Sequence, residues 1–204
     1  VCSSDLLADG RKVVGETKIS RSRERIVRIT LNPPRPRPLP ETLEAIANAD
    51  LITLGPGSLF TSVIPNLLVA GIPQAIAKSP ALKAYFVSLM WQPGETTNFR
   101  ASDHVQALLE HCGRARPIVD VCVVNTAPLR ASALRKYRAQ AAQPVEVDVE
   151  NLTRMGLDVL ATDLLRMRRA GTSQKIRHDP GVIGAVALEL AQQGRRRKRR
   201  VQSL

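Results

Sequence analysis

Residues 49–69, ADLITLGPGSLFTSVIPNLLV, decide how the chain is read. Leu51–Leu54 is a short apolar run of the kind a buried strand needs. Gly55-Pro56-Gly57 ends it with turn chemistry. Ser58, Thr61 and Ser62 then open a segment expected to run helically towards Leu68, bent at Pro65. A strand, a glycine turn and a helix start, in that order, form one unit of an open α/β sheet, whose ligands sit beyond the C-terminal strand ends. A helix start there offers unpaired N–H groups and the positive end of the helix dipole, which suits phosphate. Gly55 and Gly57 allow close backbone approach, and Ser58, Thr61 and Ser62 are candidate hydroxyl donors. The pattern is neither G-x-G-x-x-G nor a P-loop, because no Lys follows the glycines. On the residues alone, a tight turn with an N-cap stands level with a phosphate site.

Outward from this stretch, strands alternate with helices. Residues 25–31 alternate and are β-branched, which predicts a strand. Residues 32–40 hold five prolines and are expected as a stiff loop, before a helix over 41–48. A short helix is expected after Pro73 and a strand over 82–90. Ser102 or Asp103 can cap a helix running to about His111, stopped by Gly113, with His104 expected at the surface. Residues 118–124 are almost continuously apolar, as in a strand covered on both faces. A basic helix over 129–140, strands over 145–149 and 157–161, and an amphipathic helix over 182–193 complete the pattern. It implies an α/β fold, a Rossmann-like three-layer sandwich with a mainly parallel sheet.

The composition agrees. The chain of 204 residues is 44% apolar but only 3% aromatic, so its core must be built from Leu, Val, Ile and Ala. The longest apolar candidate for a membrane span, 62–77, is broken by Pro65, Asn66, Gly71, Pro73 and Gln74, and no span is expected. The three cysteines form no C-x-x-C pair, and no charged-then-apolar leader opens the chain, so no disulfide framework and a cytoplasmic location are expected; Cys122 reads as a small core residue. The net charge is +12, and half of that excess lies in the run from Arg195 to Arg200. Residues 195–204 are therefore expected as a basic, disordered tail. Nucleic-acid binding is not expected except through that tail, since no aromatics interleave the basic patches. The three histidines lack metal-ligand spacing, and no metal site or catalytic nucleophile is evident.

The run LGPGSLFTSVIPNLLV, together with 89–96 (LMWQPGET), 101–105 (ASDHV), Asp9-Gly10 and Val14-Gly15-Glu16, resembles the YvcK-like (gluconeogenesis factor) branch of the CofD-like, or UPF0052, family. Phe60 stands where that branch usually has Tyr, and Trp91 where it has Thr. The resemblance covers roughly residues 7–194 and implies the C-terminal part of a CofD-like fold. The YvcK branch binds UDP-N-acetylglucosamine and influences central carbon metabolism, cell-wall precursor supply and cell shape. The CofD branch is a 2-phospholactate transferase acting on a deazaflavin acceptor. CofD-like transferases tend to carry P-S-N-P after the strand; Pro56-Gly57-Ser58-Leu59 favours the YvcK branch. The family's opening glycine-rich loop is not in the sequence. The first six residues, VCSSDL, are also the translation of a common sequencing-adapter end, so 1–6 are expected as a non-native scar and the loop as lying upstream.

Four further residues join the candidate set. Glu95, in a loop after a strand, can address ribose or sugar hydroxyls, or simply shape its turn. Asn125, at a strand end, can read a uracil or ribose edge, or serve the turn. Tyr137 matches a Lys-Tyr of the YvcK branch and can stack on a base, bond a phosphate or only pack. Ile176-Arg177-His178-Asp179 matches the branch's I-R-H-D; Arg177 is a natural fork for a diphosphate, and Asp179 an N-cap before Pro180. The expectation is a nucleotide-sugar-binding regulatory protein without evident catalysis, with UDP-N-acetylglucosamine as ligand, no cofactor beyond it, and homo-oligomerisation left open.

Overall fold

The apolar runs become the strands of a parallel sheet covered on both faces. The computed structural model describes residues 2–7, 9–14, 25–113, 115–165 and 175–202. Strands β1 (Cys2–Leu7), β2 (Lys12–Val14) and β3 (Ile26–Asn32) make a small antiparallel sheet in the order β2-β1-β3. Its middle strand is thus made largely of the residues expected as a scar. Strands β4 (Leu51–Leu54), β5 (Leu82–Phe86), β6 (Val121–Asn125) and β7 (Asp158–Thr162) form the parallel sheet in sequence order. The helices are α1 (Pro40–Asn48), α2 (Ile64–Leu67), α3 (Ile72–Lys78), α4 (Ala101–His111), α5 (Ala131–Arg138), α6 (Val149–Arg154) and α7 (Pro180–Gln202).

Strand residues alternate between two cores, as a pleat requires. Leu54, Tyr85, Cys122 and Val124 face α2, α3, α4 and α6 and the apolar side of the small sheet, in one cluster with Ile64, Ile76, Leu108, Leu152, Leu7 and Ile29. Leu82, Ala84, Phe86, Val121 and Val123 face the other way, in a second cluster with Val186 and Leu190 of α7 and, at its edge, Leu134 of α5. The result is a Rossmann-like three-layer α/β arrangement. In register, Leu54 pairs with Tyr85, Phe86 with Val123 and Asn125 with Thr162. β5 thus ends one residue beyond β4, and β6 two residues beyond β5, so the loops after the three strands follow one another along the same edge of the sheet.

Several expectations are corrected. The strand expected over 82–90 stops at Phe86, and the one expected over 145–149 does not form. Residues 143–147 instead cross the strand ends: Val145 N donates to Leu89 O, Trp91 N to Gln143 O and Ala101 N to Glu146 O. Their hydrogen bonds thus go to a loop rather than to a neighbouring strand, and α6 follows at once. The N-cap of α4 is Arg100, neither Ser102 nor Asp103. Asp103 sits one turn in and accepts from Arg100 N at 2.7 Å, while Ser102 gives its N–H and hydroxyl to Asp148. Burial alone would raise the Asp148 carboxyl, but the bonds from Ser102 and Asn151 outweigh it and hold the group below its ordinary value.

The basic run is not a disordered tail, for α7 continues to Gln202. Arg195 pairs with Asp50 at 2.8 Å, Arg197 lies 3.5 Å from Asp120, and Lys198 donates to Asn48 O. Gly194 brings the helix backbone against β4 so closely that a Cβ there would overlap the carbonyl oxygen of Asp50. Asp179 does cap α7, accepting from Gly181 N and Val182 N. Among the described residues no single helix is long and apolar enough to cross a membrane.

Candidate functional site

The turn after β4 is shaped by sterics. Gly55 has φ +74, and a Cβ there would lie 3.1 Å from Phe86 O, so a side chain is disfavoured on both counts. Gly57 faces no such barrier, its nearest neighbour being Ser62 Cβ at 3.5 Å. The expected regular helix start is instead a π-helical turn over Leu59–Val63, in which Ser62 N and Val63 N both donate to Ser58 O, followed by the single α turn α2 at Pro65.

Ser58 is tied inward. Its hydroxyl donates to Glu95 Oε2 at 2.5 Å and accepts from Thr61 Oγ1 at 2.6 Å. Glu95 is buried behind the turn, only 3% exposed. With its proton committed to Glu95, the Ser58 side chain is scaffold, and what the turn can offer a ligand is its backbone. Ser62 is exposed, with its N–H and carbonyl in local bonds.

A cleft of about 560 Å³ opens beyond the sheet. Pro56, Gly57 and Ser58 form one wall, residues 88–92 the floor, and Tyr137 with residues 176–178 the far wall. Four of the nine sequence candidates therefore line it: Gly57, Ser58, Tyr137 and Arg177. Gly55 and Glu95 support the wall, Thr61 and Ser62 lie within the π turn behind it, and Asn125 faces an adjoining pocket. Arg177 is exposed and has no ion-pair partner among the described residues.

Tyr137 holds the far wall. Its hydroxyl accepts from Ile176 N at 3.0 Å, tying α5 to the segment that carries Arg177 and His178. That segment is also fixed by His178 Nε2 against Val87 O at 3.3 Å and by Asp179 N donating to Leu164 O. Burial pushes the His178 imidazole below its ordinary value, partly opposed by the bond to Val87.

Several lining residues were not among the sequence candidates, Ser88, Gln92 and His178 with them. Gln92 Oε1 is buried with no hydrogen-bond partner among the described residues. The signal available for Ser88 and Gln92 was their place just after a strand. His104, expected at the surface, is fully buried. Its Nδ1 meets the Tyr85 hydroxyl at 2.9 Å, and its ring meets Phe99 edge-on. Burial pushes its pKa down to about 4. Cys112 and Cys122 are free and buried, and burial pushes the Cys122 thiol up to about 12. Among the described residues no group of three or more His, Cys, Asp or Glu could hold a metal ion.

A family model described as 2-phospho-L-lactate transferase CofD matches residues 4–165, across both sheets and the turn. The chain belongs to the CofD family. Within that family it is 41% identical to the gluconeogenesis factor of Bacillus subtilis over 90% of this chain and 56% of that protein. It is 42% identical to the gluconeogenesis factor of Halalkalibacterium halodurans over 83% of this chain and 54% of that one. A crystal structure of a UPF0052 family member from Bacillus halodurans superposes with a TM-score of 0.83 at 38% identity, covering 92% of this chain and 58% of that one. The chain thus spans a little over half the length of these three relatives.

Proposed function

We propose that this chain is the larger part of a YvcK-like regulatory protein of the cytoplasm that binds UDP-N-acetylglucosamine and so links central carbon metabolism to cell-wall precursor supply and cell shape. One observation carries the reading. The cleft is bounded on one side by the Gly57–Ser58 backbone at a strand end and on the other by Arg177, which has no ion-pair partner among the described residues. A turn backbone across a cleft from a forked cation suits a diphosphate. The names of the relatives, gluconeogenesis factors, support the regulatory side of the reading. In this role the ligand is bound and sensed, and no side chain in the cleft is assigned to bond breaking.

A second reading, phospholactyl transfer to a deazaflavin acceptor, is favoured by the description of the matching family model. Against it stands Pro56-Gly57-Ser58-Leu59 in place of P-S-N-P. Calorimetric titration of UDP-N-acetylglucosamine into the full-length protein, beside Arg177→Ala, separates the two. Saturable binding weakened at least about tenfold by the variant, or about 1.4 kcal/mol, is the expected result. A folded wild type that binds no UDP-N-acetylglucosamine but transfers phospholactate would give the second reading its place.

A further inference from the structure

A second pocket, of about 250 Å³, adjoins the cleft and shares Ser88 and Leu89 with it. It lies over the C-terminal ends of β5 and β6, between α5 and the crossing segment 143–147. Its walls are largely apolar, with Val124, Leu129, Leu134 and Val147 prominent, and among the described residues no charged side chain lines it. An ionised group would lose its hydration here with no counter-charge to replace it. The pocket therefore disfavours a phosphate and suits an uncharged group.

Among the described residues two polar side chains line that space: Ser88 and Asn125. The Asn125 amide is oriented from both ends, since Nδ2 donates to Ala127 O at 2.9 Å and Oδ1 accepts from Leu164 N at 3.0 Å. A primary amide has two N–H donors and two carbonyl lone pairs, so one of each stays available. Available donor and acceptor on one fixed amide match a group that itself presents C=O beside N–H. The Ser88 hydroxyl, at the junction of the two pockets, has no hydrogen bond among the described residues and adds a rotatable donor or acceptor.

We infer that this pocket is a second subsite of the same ligand, taking an uncharged CO–NH group while the diphosphate stays in the cleft. The inference rests on the nucleotide-sugar reading of the cleft. Two parts of such a ligand carry that chemistry, the imide edge of a pyrimidine base and the N-acetyl amide of the sugar. Together the two spaces fall within the roughly 300–1,000 Å³ usual for small-molecule sites.

The test fills the pocket without touching the cleft. Ala127→Leu, with Leu134→Phe as a second filling variant, is titrated in the full-length protein with UDP-N-acetylglucosamine, UDP and inorganic diphosphate, after melting curves show each variant folded. At least a tenfold loss for both UDP and UDP-N-acetylglucosamine, with diphosphate unchanged, places the pyrimidine in the pocket. A loss for UDP-N-acetylglucosamine alone places the N-acetyl group there. Either result supports the subsite. Wild-type affinity for UDP-N-acetylglucosamine in both folded variants overturns it, and if Arg177→Ala still weakens binding, the reading of the cleft survives that failure. A wild type that binds none of the three probes overturns both.

Discussion

His104 makes the stability of the fold depend on pH in a window that surface histidines leave untouched. Burial lowers its pKa from 6.5 to about 4. A depressed histidine pKa means that between these values the unfolded chain takes up a proton that the native state refuses. Stability is therefore full above the unfolded pKa and is lost as pH falls towards the folded one. At about 1.4 kcal/mol per pKa unit, the full loss is about 3 kcal/mol, and about 2 kcal/mol of it falls between roughly pH 7 and pH 5. The control is Tyr85→Phe/His104→Leu, which removes both partners of the buried hydrogen bond and leaves neither polar group orphaned. Denaturant unfolding of both proteins at the two pH values gives the difference. His178 is also held low by burial and titrates in both proteins, so it cancels. The expected result is a wild type that loses about 2 kcal/mol more than the double variant. Equal losses would refute the assignment of the window to His104.

Two glycines of α7 should respond in opposite directions to the same change. Gly194→Ala drives a Cβ into the Asp50 carbonyl, so the helix must back away from β4 at a cost of about 1–3 kcal/mol, whereas Gly184 has nothing within 4 Å of a built Cβ, and Gly184→Ala should stabilise by about 0.5–1 kcal/mol. Thermal melts of the two variants read the signs directly. Tyr137→Phe removes the acceptor of Ile176 N at 3.0 Å and should lower stability by no more than about 1.5 kcal/mol. It should nonetheless weaken UDP-N-acetylglucosamine several-fold, because Arg177 is the next residue. A double-mutant cycle with Arg177→Ala checks this, and additive losses would mean that Tyr137 does not act through Arg177.

The amino-acid sequence by itself pointed to most of the strands and helices, to the parallel sheet and to the turn after β4. Buried parallel strands must be nearly continuous runs of apolar residues, and Leu51–Leu54 and residues 118–124 show that locally. Glycine turns and N-caps are likewise written in adjacent residues, as Gly55 and Asp179 show. What the sequence left open depended on partners far along the chain. Residues 145–149 have strand chemistry, yet their hydrogen bonds go to the loop at 89–101, which no local pattern reveals. The basic run at 195–200 looks solvated until Asp50 and Asp120, some 145 and 77 residues away, supply its ion pairs and Gly194 its close contact. His104 looks like a surface residue until Tyr85 lies beside it. Only the tertiary structure could turn Ser58 inward to Glu95 and set Arg177 opposite Gly57, because a side chain's direction follows from what packs behind it.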